Sequence, residues 1–232
     1  MDNIILFEER GQIGHLILND PPANKMTKDF FVEFHSLVRE KIIKSSVKGI
    51  IIYGNRHYSS GADFGQIRDI VMASTTVDND EIISYSSFLI TTRNSLNFFS
   101  SLSIPVVSAI RGFCIGSGLE LALYSHIRIC GTNGMIGLPE STFGYLPGLG
   151  GTYKLASLIG YGKGSELILS GEILTAEDAY KYGIVDKVIH KNHVITYAEQ
   201  LLNLIIKNEP NYSKKDALSY ITKYENSIIL DS

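Results

Sequence analysis

Apolar residues recur along this chain at two spacings, one suited to strands and one to helices, and their alternation predicts a succession of strand and helix units. Residues 4–8 and 15–18 are β-prone runs separated by Arg10-Gly11-Gln12, the pattern of an opening hairpin that Asp20-Pro21-Pro22 ends. Thr27 can cap a helix in which Phe30, Phe31, Phe34, Leu37 and Val38 recur at helical spacing to about residue 43. Residues 49–53 read as a buried strand. A loop over 54–65 carries the Gly61-Ala62-Asp63 turn, a looser polar helix is expected over 67–74, and 74–82 reads as a mobile connection.

The second half repeats the scheme. Phe88, Leu89, Leu96 and Phe99 predict a helix over 85–99 that delivers the chain to a central, β-branched strand at 105–110. Gly112 then opens a turn toward Gly116-Ser117-Gly118, and from Leu119 the pattern becomes helical. A strand-like segment at 136–138 stops at Pro139. Gly148-Leu149-Gly150-Gly151 leads into a helix at 152–158, another is expected at 163–169, and Thr175 can cap a third at 176–182. Residues 184–189 form the last predicted strand, and Leu201, Leu202, Ile205 and Ile206 give the helix at 194–207 its apolar stripe. Pro210 breaks that helix before a final one at 213–229. Repeated strand and helix units of this kind suit an α/β fold with parallel strands, whose crossovers need a dozen or more residues.

Composition narrows the classes of function. With 232 residues the chain can bury a sizeable core without disulfides or metals. Its two cysteines, Cys114 and Cys130, lie in apolar segments with no metal-ligand spacing, so they read as buried small hydrophobes in a reducing, cytoplasmic setting. A net charge of −3 without any lysine-arginine block argues against nucleic acid, and no run approaches a membrane span or a signal peptide.

Candidate chemistry concentrates between residues 104 and 151. Glycines immediately before a helix let a ligand approach the backbone, and the free N–H groups of the first turn attract developing negative charge. Glu120 falls in that turn, and Glu140 follows Pro139 twenty residues later. Taken singly each feature has a plain explanation: a first-turn glutamate complements the helix dipole, and Gly61-Ala62-Asp63 is a serviceable turn. Taken together, two carboxyls beside an anion site are suited to acid-base chemistry.

These residues, with Ser59-Ser60-Gly61-Ala62-Asp63 upstream and 174–179 and 183–185 downstream, resemble the enoyl-CoA hydratase/isomerase (crotonase) superfamily over roughly the first four-fifths of the chain. The resemblance implies a superhelix of repeated ββα units over 1–190, with 191–232 as a helical region shorter than the family's usual tail. It also implies roles. Glu120 and Glu140 would hold a catalytic water, and the backbone N–H groups of Ala62 and Ser117 would bind a thioester oxygen. Lys25 stands in the loop near the nucleotide end of CoA, where it is either a phosphate contact or a solvated lysine. Asp63, Phe64 and Gly65 would line the pantetheine channel. Ser117 occupies a position usually held by glycine, and His126 one that often holds an acid, read here as structural. Phe143 and Tyr145 either border the acyl pocket or belong to the core. The implied reaction is hydration of a 2-enoyl thioester, or the reverse dehydration, on CoA or a carrier protein, with no metal or redox cofactor. An isomerase relying mainly on Glu140 and a non-catalytic scaffold are the alternatives. The implied assembly is a homotrimer or a dimer of trimers.

Overall fold

The structure, a computed structural model, describes residues 3–63, 65 and 79–208, and the side chains of all of these except 79–87. Phe64 and the helices expected at 67–74 and 213–229 lie outside the described residues. The fold is mixed α/β. Its frame is a six-stranded sheet in the order β1 (Ile5–Arg10), β2 (Ile13–Leu18), β4 (Gly49–Gly54), β6 (Val106–Ile110), β8 (Ile127–Gly131) and β11 (Lys187–Ile189). The opening hairpin is antiparallel, with Ile5 opposite Leu18, and every later pairing in this sheet is parallel.

Both faces of the sheet are covered, which is why β4 and β6 are almost wholly apolar and do not alternate with polar residues. Ile50, Ile52, Val106 and Ile110 point into one core with Phe30, Phe34, Leu96 and Phe99, while Ile51, Tyr53, Val107 and Ala109 point into the other. The first core is covered by α1 (Lys28–Leu37), capped by the Thr27 hydroxyl accepting from the Phe30 N–H, and by α2 (Asn79–Ser101). The helix α2 starts before the predicted position 85 and takes up the end of the stretch expected to be mobile. On the opposite face lies α7 (Val194–Lys207), whose Val194, Ala198 and Leu202 are fully buried.

A second, smaller layer holds the functional elements. It consists of β7 (Phe113–Ile115), β9 (Met135–Gly137) and β10 (Ile173–Thr175), with β7 parallel and β10 antiparallel to β9. A two-stranded pair, β3 (Lys25–Met26) with β5 (Gly61–Ala62), stands beside it, and a bridge between Ser59 and Cys114 joins the chain after β4 to β7. Thus β4, β6 and β8 each hand the chain to a short strand outside the large sheet, the repeated ββα unit that the family resemblance implied. The short helices α3 (Ser117–Leu123), α4 (Gly151–Ile159), α5 (Tyr161–Ser170) and α6 (Ala176–Lys181) surround the smaller layer, and a wider helical turn, Val38–Ile42, extends α1.

Five strands escape the sequence pattern, the two-residue β3 and β5 among them. In β8 a buried arginine interrupts the apolar run, and tertiary partners neutralise it: Arg128 donates to the Ser125 and Ile184 carbonyls and pairs with Asp186 at 3.3 Å. The three-residue strands β7 and β10 exist because β9 lies between them, and so carry no periodicity of their own. The last strand is also shorter than the predicted 184–189, since Ile184 and Val185 are buried in the turn before it.

Candidate active site

The site forms where the loop after β4 meets the turn after β7. Gly61 has φ +89°, a conformation favourable to glycine, and a Cβ there would sit 2.7 Å from the Ile115 carbonyl oxygen and 3.6 Å from the Gly116 Cα. The two backbones therefore pack without an intervening side chain. Asp63 donates its N–H to the Met26 carbonyl, and because N–H directions alternate along an extended strand, the Ala62 N–H faces away from β3. Gly116, at φ +54°, turns the chain from β7 into α3, where the first intrahelical bond runs from the Glu120 N–H to the Gly116 carbonyl. The N–H groups of Ser117, Gly118 and Leu119 precede that bond and have no carbonyl one turn back. The two expected oxyanion donors thus lie on adjoining segments, and Ser117 is itself helical and nearly buried, so a side chain at this position fits the turn.

Glu120 is 1% exposed, one turn into α3. Its Oε1 accepts the N–H of Leu149 at 2.7 Å and that of Gly151 at 2.8 Å. That turn is itself held: Tyr124 donates to the Leu149 carbonyl at 2.7 Å and Arg93 to the Gly148 carbonyl at 2.9 Å. A Cβ on Gly151 would approach the Glu120 Cγ to 2.8 Å, so the residue there must be small for the two amides to reach the carboxylate. The glycine cluster at 148–151 was legible as a helix entry; its service to Glu120 was not.

Glu140 sits on a tight turn, Pro139–Phe143, with Pro139 at its first position. It is 8% exposed, and a Cβ on Gly116 would meet its Oε1 at 3.0 Å, which puts the carboxyl against the same glycine that opens α3. Its Oε2 is buried and has no protein hydrogen-bond partner. An unmatched buried carboxyl oxygen is costly unless something else bonds to it, and it is available to a small polar molecule in the site.

Burial raises both acids. Desolvation, then the charge of Glu140, pushes Glu120 up to about 8 against the opposing pull of the Gly151 and Leu149 amides. Desolvation likewise raises Glu140 to about 7. Near neutral pH the pair therefore holds about one proton, and the assignment belongs to the pair.

The remaining expected residues flank this centre. Lys25 forms an ion pair with Asp63 at 2.9 Å, while the other Asp63 oxygen accepts the Gly65 N–H at 2.9 Å. These three form one strap at the mouth of the β3–β5 pair. His126 accepts the Val106 N–H at 3.0 Å, holding the start of β6, and Phe143 is exposed beside the half-buried Tyr145. Both cysteines are buried and free. Among the described residues no cluster of histidines, cysteines and acids could hold a metal ion, and no helix is long and apolar enough to cross a membrane.

A family model described as enoyl-CoA hydratase/isomerase matches residues 8–229. A short-chain-enoyl-CoA hydratase from Clostridium acetobutylicum is 29% identical over 213 residues, covering 90% of this chain and 77% of its own. A 2,3-dehydroadipyl-CoA hydratase from Escherichia coli is 30% identical over 198 residues, covering 84% and 72%. Among solved structures, an enoyl-CoA hydratase from Thermoplasma volcanium superposes with a TM-score of 0.79 at 29% identity, over 97% of this chain and 84% of that one.

Proposed function

This chain belongs to the enoyl-CoA hydratase/isomerase family, and from that premise we propose that it adds water across the double bond of a 2-enoyl-CoA to give the 3-hydroxyacyl-CoA, or runs the reverse. The observation that carries this reading is the pair of buried glutamates beside the Gly61–Gly116 contact, one carboxyl fixed by two amides and the other with an oxygen free of protein partners.

Each part of the reaction has a group suited to it. The thioester carbonyl accepts from the Ala62 and Ser117 N–H groups, which stabilise the enolate-like charge that develops as water attacks Cβ. The ionised member of the Glu120–Glu140 pair takes a proton from the attacking water, and the protonated member supplies one to Cα. A pair holding one proton at neutral pH meets both requirements at once. The proton count closes, so the chemistry calls for no metal or redox cofactor, and CoA enters as part of the substrate. Lys25, Asp63 and Gly65 lie at the edge where the pantetheine and nucleotide would run, with Phe64 beside them in sequence; a phosphate there would compete with Asp63 for the Lys25 ammonium.

The experiment is loss of the conjugated-thioester absorbance with a panel of 2-enoyl-CoA substrates, repeated for Glu120→Gln and Glu140→Gln. Glutamine keeps the size but cannot exchange a proton, so each change should lower kcat by about 10²–10⁴ with little change in binding. Loss from Glu140→Gln alone, with turnover of 3-enoyl-CoA to 2-enoyl-CoA, would replace hydration by isomerisation. Folded variants that both keep full turnover, or a wild-type chain inert toward every thioester, would leave a scaffold.

A further inference from the structure

Ser59 is fully buried, is not one of the groups assigned to the chemistry, and reaches both donor segments. Its hydroxyl accepts the Gly61 N–H at 3.0 Å and donates to the Asn24 carbonyl at 2.7 Å. Its own N–H donates to the Phe113 carbonyl at 2.8 Å, and its carbonyl accepts the Ile115 N–H at 3.1 Å. On its other side it abuts α3: a Cβ on Gly118 would lie 2.7 Å from the Ser59 Cβ and 3.1 Å from its Oγ. One residue therefore touches the segment that carries Ala62, the strand that leads to Ser117, and the first turn of α3.

We infer that Ser59 is a positioning residue, its hydroxyl setting the Ala62 N–H in register with the Ser117 N–H. The inference rests on the thioester-binding reading given above. The Ala62 N–H belongs to the peptide between Gly61 and Ala62, and glycine at φ +89° leaves that plane free to rotate unless its neighbours are held. On one side the Gly61 N–H is held by the Ser59 hydroxyl, and on the other the Asp63 N–H is held by the Met26 carbonyl at 3.3 Å. The second of these bonds is long and the β3–β5 ladder beside it is only two residues, so the hydroxyl reinforces a short pairing. Without it the Gly61 N–H is left buried and unpaired, and the peptide turns to find a partner. The backbone bonds of Ser59 would keep the strands together, so the loss falls on donor direction and not on the fold.

The test uses the full chain and cinnamoyl-CoA, whose absorbance moves to longer wavelength when donors polarise its carbonyl. Ser59→Ala should lower kcat on a 2-enoyl-CoA about 10- to 100-fold with KM nearly unchanged, as expected for a misplaced donor. It should also shrink the red shift of bound cinnamoyl-CoA while leaving both limbs of the pH–rate profile in place, since neither glutamate is touched. Ser59→Cys keeps a weaker donor and acceptor and should fall between the two. If the wild-type chain shows the shift and both variants match it in shift and in kcat, the role of Ser59 is overturned and the thioester reading stands. If the wild-type chain shows no shift, the thioester reading fails and takes this inference with it. Should Ser59→Ala lose its native circular dichroism, the cysteine variant decides: a partial shift supports the role, and a full shift with full turnover overturns it.

Discussion

Two carboxyls separated by twenty residues in sequence share one environment, and their shifted titration is the residue-scale property with a direct kinetic consequence. Hydration needs one base and one acid. Below about 7 both glutamates hold protons and the base is lost, and above about 8 both are ionised and the acid is lost. The kcat/KM of the wild-type chain, which reports the groups of the free protein, should therefore be bell-shaped with its maximum between those values. A profile flat from pH 5 to 9 would contradict the shared-proton assignment. The sequence marks the pair, but the raised values come from burial and, for Glu120, from the charge of Glu140, set against the Leu149 and Gly151 amides that reach it from a distant part of the chain.

At the scale of elements, the start of α3 is the sensitive place. Ser117 is the first helical residue, so its N–H is one that the helix does not use, and proline is well tolerated at such a position. Ser117→Pro should therefore keep native circular dichroism while removing the proposed donor, lowering kcat by about 10²–10³. Ser117→Gly keeps the N–H and should retain turnover. Normal turnover in a folded proline variant would show that this amide binds nothing in the reaction. The same element shows why the sequence pattern was informative here: Gly116 at φ +54° is a local demand that glycine meets directly, whereas the close packing of Gly118 on Ser59 is set by tertiary structure. The pattern marked 148–151 as a helix entry but not that its Leu149 and Gly151 amides serve a glutamate in another element.

For the whole molecule the buried acids carry a stability cost with a defined sign. Their folded values lie above the ordinary 4.5, so between about 4.5 and 8 the folded chain binds more protons than the unfolded one, and these two groups make stability fall as pH rises. Buried His15 acts oppositely, because burial lowers it to about 4 and its folded form sheds a proton that the unfolded chain keeps. Comparing wild type with Glu120→Gln/Glu140→Gln cancels the histidine. The double variant should gain stability over wild type as pH increases from 5 to 8.5, read as urea midpoints, and an equal difference at both pH values would refute the linkage. Assembly is the other whole-molecule question. We propose a trimer or a dimer of trimers, supported by family membership and by exposed apolar side chains at Phe143, Leu146 and Leu169. Light scattering after size exclusion should give three or six times 25.7 kDa, and a monomer at micromolar concentration would sink it.

The sequence by itself determined the elements whose cause is local. The Thr27 and Thr175 caps, the apolar strands of the central sheet, the amphipathic α7 and the glycine turn before α3 all follow from residues within a few positions of one another. It also marked Glu120, Glu140, Ala62 and Ser117 as worth attention through motif resemblance. Only the tertiary structure decided what those residues face. The buried arginine of β8 needs Asp186 and the distant Ile184 carbonyl, besides the nearby Ser125 carbonyl, before that segment can be a strand, and β7 needs β9. Likewise the approach of Gly61 to Gly116, the amides on Glu120 and the bond from the Ser59 hydroxyl to the Asn24 carbonyl are contacts across dozens of residues. Propensity and periodicity report what a segment does alone; burial, and with it the energies of charges and hydrogen bonds, depends on which segments are brought together.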